Sequence, residues 1–323
     1  MVRLVFLSLL LSIFSITLAA EEKVEKVASP QKPYSVSMTL DSVLGQGIFV
    51  YDEYARDPYF AQTLVIAPSY KWNKIRFGAS ISASTEHTNA NNVTYNHQVF
   101  ISDLNLSASK ALYVFKSAGI SLNGNFGINL PLSLASQRAT LLFGSKLGLS
   151  LSKGWGKFSL SYSLGLKKNF HQYQSPVIRK DDLTDFETYS RAENGGLIGE
   201  DLIATGGNNV SYGISNSIAA GYGISDKLSL SFSLAYSLAF KYQTFEKDDE
   251  TGEYATGNSY RDVLIGGLGL GYQLTDTFSL AAGMNTAQMP KTADQKGFNF
   301  PWFNFSRPAD NITVFYFDIS ANF

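Results

Sequence analysis

The chain has no cysteine. That excludes a disulfide framework, a thiolate metal site and a lipid-bearing N-terminal cysteine. It has no dominant charge either: 26 basic residues stand against 27 acidic ones, a formal net charge of -1. There is thus no overall basic field to attract nucleic acid. Beyond the N-terminus, no apolar run reaches the length needed to cross a bilayer as a helix. No glycine motif sits between a strand and a helix, so a nucleotide cradle is not indicated. Mean hydropathy is -0.04. In most chains that would mark a soluble protein, but alternating apolar and polar faces cancel in such an average.

The first segment reads as a secretory signal over residues 1–20. Arg3 supplies the positive start and Leu4 to Ile16 the apolar stretch. Thr17-Leu18-Ala19-Ala20 supplies the small-residue cleavage region. An uncleaved anchor is the alternative. The following residues, 21–33, are charged and interrupted by Pro30. They read as a short lead-in, too small for a plug domain.

From 34 to 323 the dominant signal is period two. Twelve candidate strands alternate apolar and small polar residues. In the clearest, Leu228, Leu230, Phe232, Leu234, Tyr236, Leu238 and Phe240 alternate with serines and alanines. Another sets Phe158, Leu160, Tyr162, Leu164 and Leu166 against Ser159, Ser161, Ser163 and Gly165. The fourth places Phe100, Leu104 and Leu106 on one face, and the connection after it, near Lys110 to Ala118, is unusually long. Short connections at Asn73-Lys74, Ser225 to Lys227 and Thr275 to Thr277 alternate with long polar ones, at about 46–58, 85–97, 173–208, 243–258 and 285–311. In the turns at Asp226 and Asp276 the carboxylate can bond its own backbone.

The last strand puts Phe315, Phe317, Ile319, Ala321 and Phe323 on one face, with Asp318, Ser320 and Asn322 on the other. Ending on the aromatic Phe323, it resembles the closing strand of Gram-negative outer-membrane β-barrels. The fold class expected is all-β: a transmembrane antiparallel up-and-down β-barrel of about twelve strands. Lipid offers no hydrogen bonds, so such a sheet must close on itself. The resemblance implies a bacterial outer-membrane location after signal cleavage. It also implies contact with outer-membrane lipid and lipopolysaccharide, and insertion machinery that reads Phe323. A porin-like channel for small hydrophilic solutes, with no cofactor and no chemical step, is the expectation. The alternative is a structural or surface-recognition barrel whose loops bind an external partner.

By parity, Lys74, Arg76, Lys146, Lys157, Lys167, Lys241 and Arg261 point inward, opposed by Asp41, Asp103 and Asp318. Rings of lysine and arginine favour anion passage. Alternatively, several of these groups sit at strand ends and meet solvent. Lys168 and Asp262 fall on the outward parity, near strand ends. Two long loops are acidic: one holds Asp181, Asp182, Asp185 and Glu187, the other Asp248, Asp249, Glu250 and Glu253. Carboxylate clusters can hold hard cations, but the run Asp248 to Glu253 lacks the spacing of an EF-hand loop, and solvated loops are expected.

The last loop gathers Phe298, Phe300, Trp302, Phe303 and Phe305. These rings either fold into the mouth and stack on a solute or pack on the rim. The three histidines are His87, His97 and His171. Barrel phospholipases place a serine close after a histidine on a lipid-facing strand. Here His171 is followed by Gln172, Tyr173, Gln174 and Ser175, which does not fit. A carboxylate–histidine pair at the mouth, from His171 and Asp181, Asp182 or Asp185, is not demanded by the spacing. A loop-borne hydrolase is therefore not expected.

Overall fold

The structure, a computed structural model, describes residues 32–50, 58–88, 98–179, 197–198, 202–204, 208–242, 246–247, 254–255, 260–306 and 308–323. The segment read as a secretory signal, His97 and most of the two acidic loops lie outside the described residues.

Twelve strands form the wall. They are β1 (Tyr34–Gly45), β2 (Phe60–Trp72), β3 (Ile75–Glu86), β4 (Val99–Ile101 continuing as Leu104–Phe115), β5 (Ile120–Leu130) and β6 (Leu141–Trp155). Next come β7 (Phe158–His171), β8 (Val210–Gly223), β9 (Leu228–Lys241), β10 (Tyr260–Gln273), β11 (Phe278–Gln288) and β12 (Thr313–Asn322). Each pairs antiparallel with its neighbours, and β12 returns to β1, from Ser37 opposite Asn322 to Gly45 opposite Val314. The ladder runs to the last residue: Phe323 N–H donates to Val36 O, and Val36 N–H to Phe323 O, each at 3.0 Å. The sheet has no free edge, as hydrocarbon surroundings require. Both termini of the barrel lie at one end, called here the terminal end. The opposite one is the loop end.

Apolar side chains sit on the outside. Leu147, Leu166, Phe232 and Ile319 are exposed there. Around the terminal end stands a ring of exposed aromatics, including Tyr70, Trp72, Tyr113, Trp155, Tyr222 and Tyr272. Lys153 Nζ lies 4.8 Å from the Trp155 ring centre. Toward the loop end Phe143 stacks on Phe170, and Tyr212 on Phe240, each pair 4.5 Å apart. Two aromatic belts with an aliphatic band between them match the two faces of a bilayer.

Local chemistry explains the turns at the terminal end. Asn73 and Lys74 have φ of 45° and 65°, the left-handed pair of a two-residue hairpin. At β8–β9 the Ser225 hydroxyl accepts from Lys227 and Leu228 N–H. At β10–β11 the Thr275 hydroxyl accepts from Thr277 and Phe278 N–H. The hydroxyl one position earlier thus does what Asp226 and Asp276 were expected to do.

Strand β4 departs most from simple alternation. Ala83 pairs with Ile101, but Ser80 pairs with Asn105. Ser102, Asp103 and Leu104 therefore oppose only Ile81 and Ser82. Ser102 N–H donates to Ser82 O at 2.8 Å, and its Oγ accepts from Ser82 N–H. One extra residue flips the parity. Val99 and Ile101 face outward and are exposed, so Phe100 faces inward, contrary to expectation. A second bulge, between Ala111 and Tyr113, hid the end of this strand. It runs on to Phe115, so the connection that looked too long is a four-residue turn. Likewise β11 reaches Gln288, so the last loop begins after 288 rather than at 285.

Candidate functional site

The bore is lined by small residues. Serines and alanines from β9, glycines from β10 and serines from β3 face inward, and long side chains are few. Among the expected inward charges, Lys146 and Lys167 do meet on the inner wall as direct cross-strand partners of β6 and β7. Arg76 also faces inward, near the terminal end. Lys241 and Arg261 lie close to the loop end of β9 and β10. Lys74 does not line the wall, because it occupies the β2–β3 turn. Lys157 is also in a turn, where its ammonium donates to Ile224 O at 3.2 Å. Lys71, overlooked in the sequence, pairs with Arg76 on the inner face. Counting parity from Tyr70 and Trp72 would have found it.

Both central lysines lie along the wall. A Cβ added at Gly165 would be 3.9 Å from Lys146 Cε, and one at Gly144 would be 3.6 Å from Lys167 Cε. Each lysine thus lies over the bare backbone of the neighbouring strand. Gly127, Gly148 and Gly213 extend this patch. Asn125 lies over Gly148 in the same way. Lys146, Asn125 and Ser107 face inward yet are exposed, so water-sized space adjoins them inside the barrel.

Asp103 anchors a segment at the mouth. Its Oδ1 accepts from Ser133 N–H at 2.9 Å, and its Oδ2 from Asn129 Nδ2 at 2.7 Å and Ser136 Oγ at 2.5 Å. These partners belong to β5 and to the connection 131–140. That connection carries a short helix, α1 (Leu134–Arg138), capped by Ser133 Oγ accepting from Ser136 N–H at 3.1 Å. The segment is held to the inner wall of β4. This anchoring is not legible in the sequence, because Ser133 and Ser136 look like ordinary loop serines.

Asp41 and Asp318 are cross-strand partners on the inner face of β1 and β12. One oxygen of each has no hydrogen-bond partner among the described residues. Half-way round a twelve-strand ring from β6–β7, they form an acidic wall opposite the lysines. Tyr59, just before β2, lies near them. Burial, then the Glu86 and Asp41 carboxylates, push its hydroxyl well above the ordinary tyrosine value.

Tyr316 also faces inward. Its hydroxyl occupies the space a Cβ would need at Gly269 and Gly283, so the ring lies flat across β11 and β10. If the bore conducts, a Gly269→Ala variant, whose Cβ would meet the Tyr316 and Ser231 side chains and no backbone, is expected to lift Tyr316 into the bore and lower single-channel conductance. Unchanged conductance would show that the ring does not border the water path.

The aromatic loop does not enter the mouth. Thr313 shares the outward parity of Phe315 and Phe317, and Thr286 is its cross-strand partner. Yet Thr286 and Thr313 are the described side chains buried most completely, each 0% exposed. Residues 300–304 cover them from outside. Thr286 Oγ1 donates to Trp302 O at 2.9 Å and meets Thr313 Oγ1 at 2.9 Å. Thr313 Oγ1 accepts from Asn304 N–H at 2.8 Å. Gln288 Nε2 donates to Phe300 O, and Gln288 Oε1 accepts from Asn304 Nδ2 at 2.7 Å. Trp302 Nε1 donates to Ser233 O at 3.0 Å. The segment is thus a strap on the outer wall. Its rings run Phe300, Phe303, Phe305, Phe315, Phe49 with centres 4.7–6.4 Å apart. Phe298, 80% exposed, projects beyond it.

Both charges expected to face outward near strand ends, Lys168 and Asp262, have partners. Lys168 Nζ donates to Ser211 Oγ and lies 5.3 Å from the Tyr242 ring centre. Asp262 accepts from the Tyr236 hydroxyl at 3.4 Å. His171 has Nδ1 2.7 Å from Ala139 O and Nε2 3.2 Å from Val210 O. Both partners are carbonyl oxygens, which only accept, so the neutral ring donates to one of them, and the shorter contact is to Ala139 O. The carboxylates of Asp181, Asp182 and Asp185 lie outside the described residues. Among the described residues no group of three or more acids or histidines is placed to hold a metal.

The class these features define is the outer-membrane β-barrel fold: closed, twelve-stranded, antiparallel, apolar outside and polar within. An outer-membrane channel from Pseudomonas putida F1 superposes with TM-score 0.52 at 9% identity, over 94% of this chain and 100% of that one. The NanC porin is similar at TM-score 0.46 and 9% identity, over 89% and 98% of the two chains. Outer-membrane phospholipase A of Escherichia coli matches at TM-score 0.33 and 17% identity, over 89% and 91%. The first likeness shows the fold; the other two are too loose to argue from. No protein-family model matches the chain, and no curated protein matches its sequence.

Proposed function

We propose that the chain resides in the bacterial outer membrane and lets small hydrophilic solutes diffuse through its bore. The observation that carries this is the exposure of Lys146, Asn125 and Ser107 on a face that points into the barrel. A filled barrel would bury such groups against opposing side chains. Small inward residues and long side chains laid flat on glycine keep space open along β4 to β7. The exposed apolar band between two aromatic belts supports membrane residence. No reacting group is needed for diffusion. Selectivity would follow from bore width, from the lysine and carboxylate walls, and from the segment held by Asp103.

The test is purified protein in a planar bilayer, checked first for slower or faster gel migration before boiling. Stepwise conductance is expected from each insertion. Silence across many heat-modifiable, correctly inserted barrels overturns the channel reading and favours a structural or surface-recognition barrel.

A further inference from the structure

Lys146 and Lys167 stand directly opposite each other in the β6–β7 ladder. Like charges in that position destabilise a sheet unless something neutralises them. Only Asp103 acts favourably on Lys167 through space, and without an ion pair. Neither ammonium has a hydrogen bond or an ion pair among the described residues. Asp103 is the acid on that side of the bore, but Asn129, Ser133 and Ser136 already hold both its oxygens. Asp41 and Asp318 are on the opposite wall.

The space around the pair is equally specific. Gly144 and Gly165 let the two aliphatic stems lie flat on the wall, with Lys146 exposed toward the bore and Lys167 half-buried beside it. Asn125 lies in the same patch, over Gly148. Two adjacent ammonium donors with a neighbouring amide suit an anion with several oxygen acceptors. A point anion would engage one lysine. A carboxylate or phosphate can bridge both.

We propose that Lys146 and Lys167 form a binding step for small oxyanions, carboxylates or phosphates, inside the bore. The role as a step in permeation rests on the channel reading above. Binding itself does not.

The probe is inorganic phosphate, added to the full-length barrel in detergent at low ionic strength, where charge screening is weak. Its phosphorus resonance is expected to broaden with wild type. In the Lys146→Gln/Lys167→Gln double variant the broadening is expected to vanish. Each single variant should weaken binding by about tenfold, the weight of one charge-assisted hydrogen bond. The Lys146→Arg/Lys167→Arg variant, which keeps both charges, should restore it.

Conductance separates the two claims. If the double variant still conducts but loses block of chloride current by phosphate, both readings stand. A wild type that conducts without broadening the resonance overturns the subsite alone. A wild type that broadens it but never conducts overturns the channel alone. Equal broadening by wild type and double variant overturns the subsite, because the phosphate would then be bound elsewhere.

Discussion

In a Gly266→Val variant the strap, residues 289–306, is expected to come away from the outer wall. Any Cβ at this position would collide with the Pro301 carbonyl and crowd Trp302 Cα. These are backbone atoms, so no side-chain rotation relieves the clash. Release would break every bond that Thr286, Gln288 and Thr313 make to the strap. Each polar group then left facing hydrocarbon costs about 1–3 kcal/mol. With three side chains and their backbone partners affected, the loss is a large share of a typical stability margin. The temperature at which the barrel loses its heat-modifiable migration should drop, and protease should cut within 289–306. Trp302→Ala, which removes the indole bond to Ser233 O without placing a Cβ at 266, should act the same way but less strongly. An unchanged migration temperature and intact chain in both variants would refute the strap's structural role.

Asp103→Ala should free the segment 131–140. Two hydrogen bonds to the Asp103 carboxylate, from Ser133 N–H and Ser136 Oγ, hold the segment, and charge-assisted bonds of this kind contribute about 1.5–3 kcal/mol each. Without them Ser133 N–H and Asn129 lose their acceptor, and α1 is too short to persist alone. Protease sensitivity between 131 and 140 is the direct readout. If the bore conducts, the variant's open-state current should be larger and noisier. Asp103→Asn keeps the shape but offers one acceptor oxygen where two are used, so it should fall between wild type and alanine. Resistance of both variants to proteolysis at levels that cut no wild-type chain would show that β5 and β6 alone fix the segment.

Most of the wall was readable because a strand in such a barrel has one alternating pattern and few ways to deviate. Leu228 to Phe240 could hardly be anything else. What broke the reading was a change of register. The extra residue at Ser102–Asp103 exchanges the faces of β4, so Phe100 and Ile101 swap roles while each still looks apolar. No local composition marks such a bulge. Inner charge was partly readable, since parity correctly placed Lys146 and Lys167. The same parity misplaced Lys74, because left-handed turn residues belong to neither face. Tyr316 was missed for a different reason. Parity alone places it inside with Asp318 and Ser320, but a tyrosine between two phenylalanines draws no notice, and its lying flat depends on the glycines at 269 and 283, remote in sequence. The aromatic loop was read as a cluster, but its resting place depended on Thr286 and Thr313. Two outward threonines near a strand end look like ordinary interfacial residues until something is found covering them.

The strap has a consequence for how the molecule sits among others. A smooth greasy cylinder can be approached equally from any azimuth, and in a crowded bilayer it would rotate freely past its neighbours. Here one sector, over β10 to β12, carries a ridge of protruding rings. Companions pressing against that side must fit around Phe298 and its neighbours, whereas among the described residues no such strap covers the outer face of β2 to β8. Lateral crowding is thereby biased to one flank, giving an otherwise round object a front and a back.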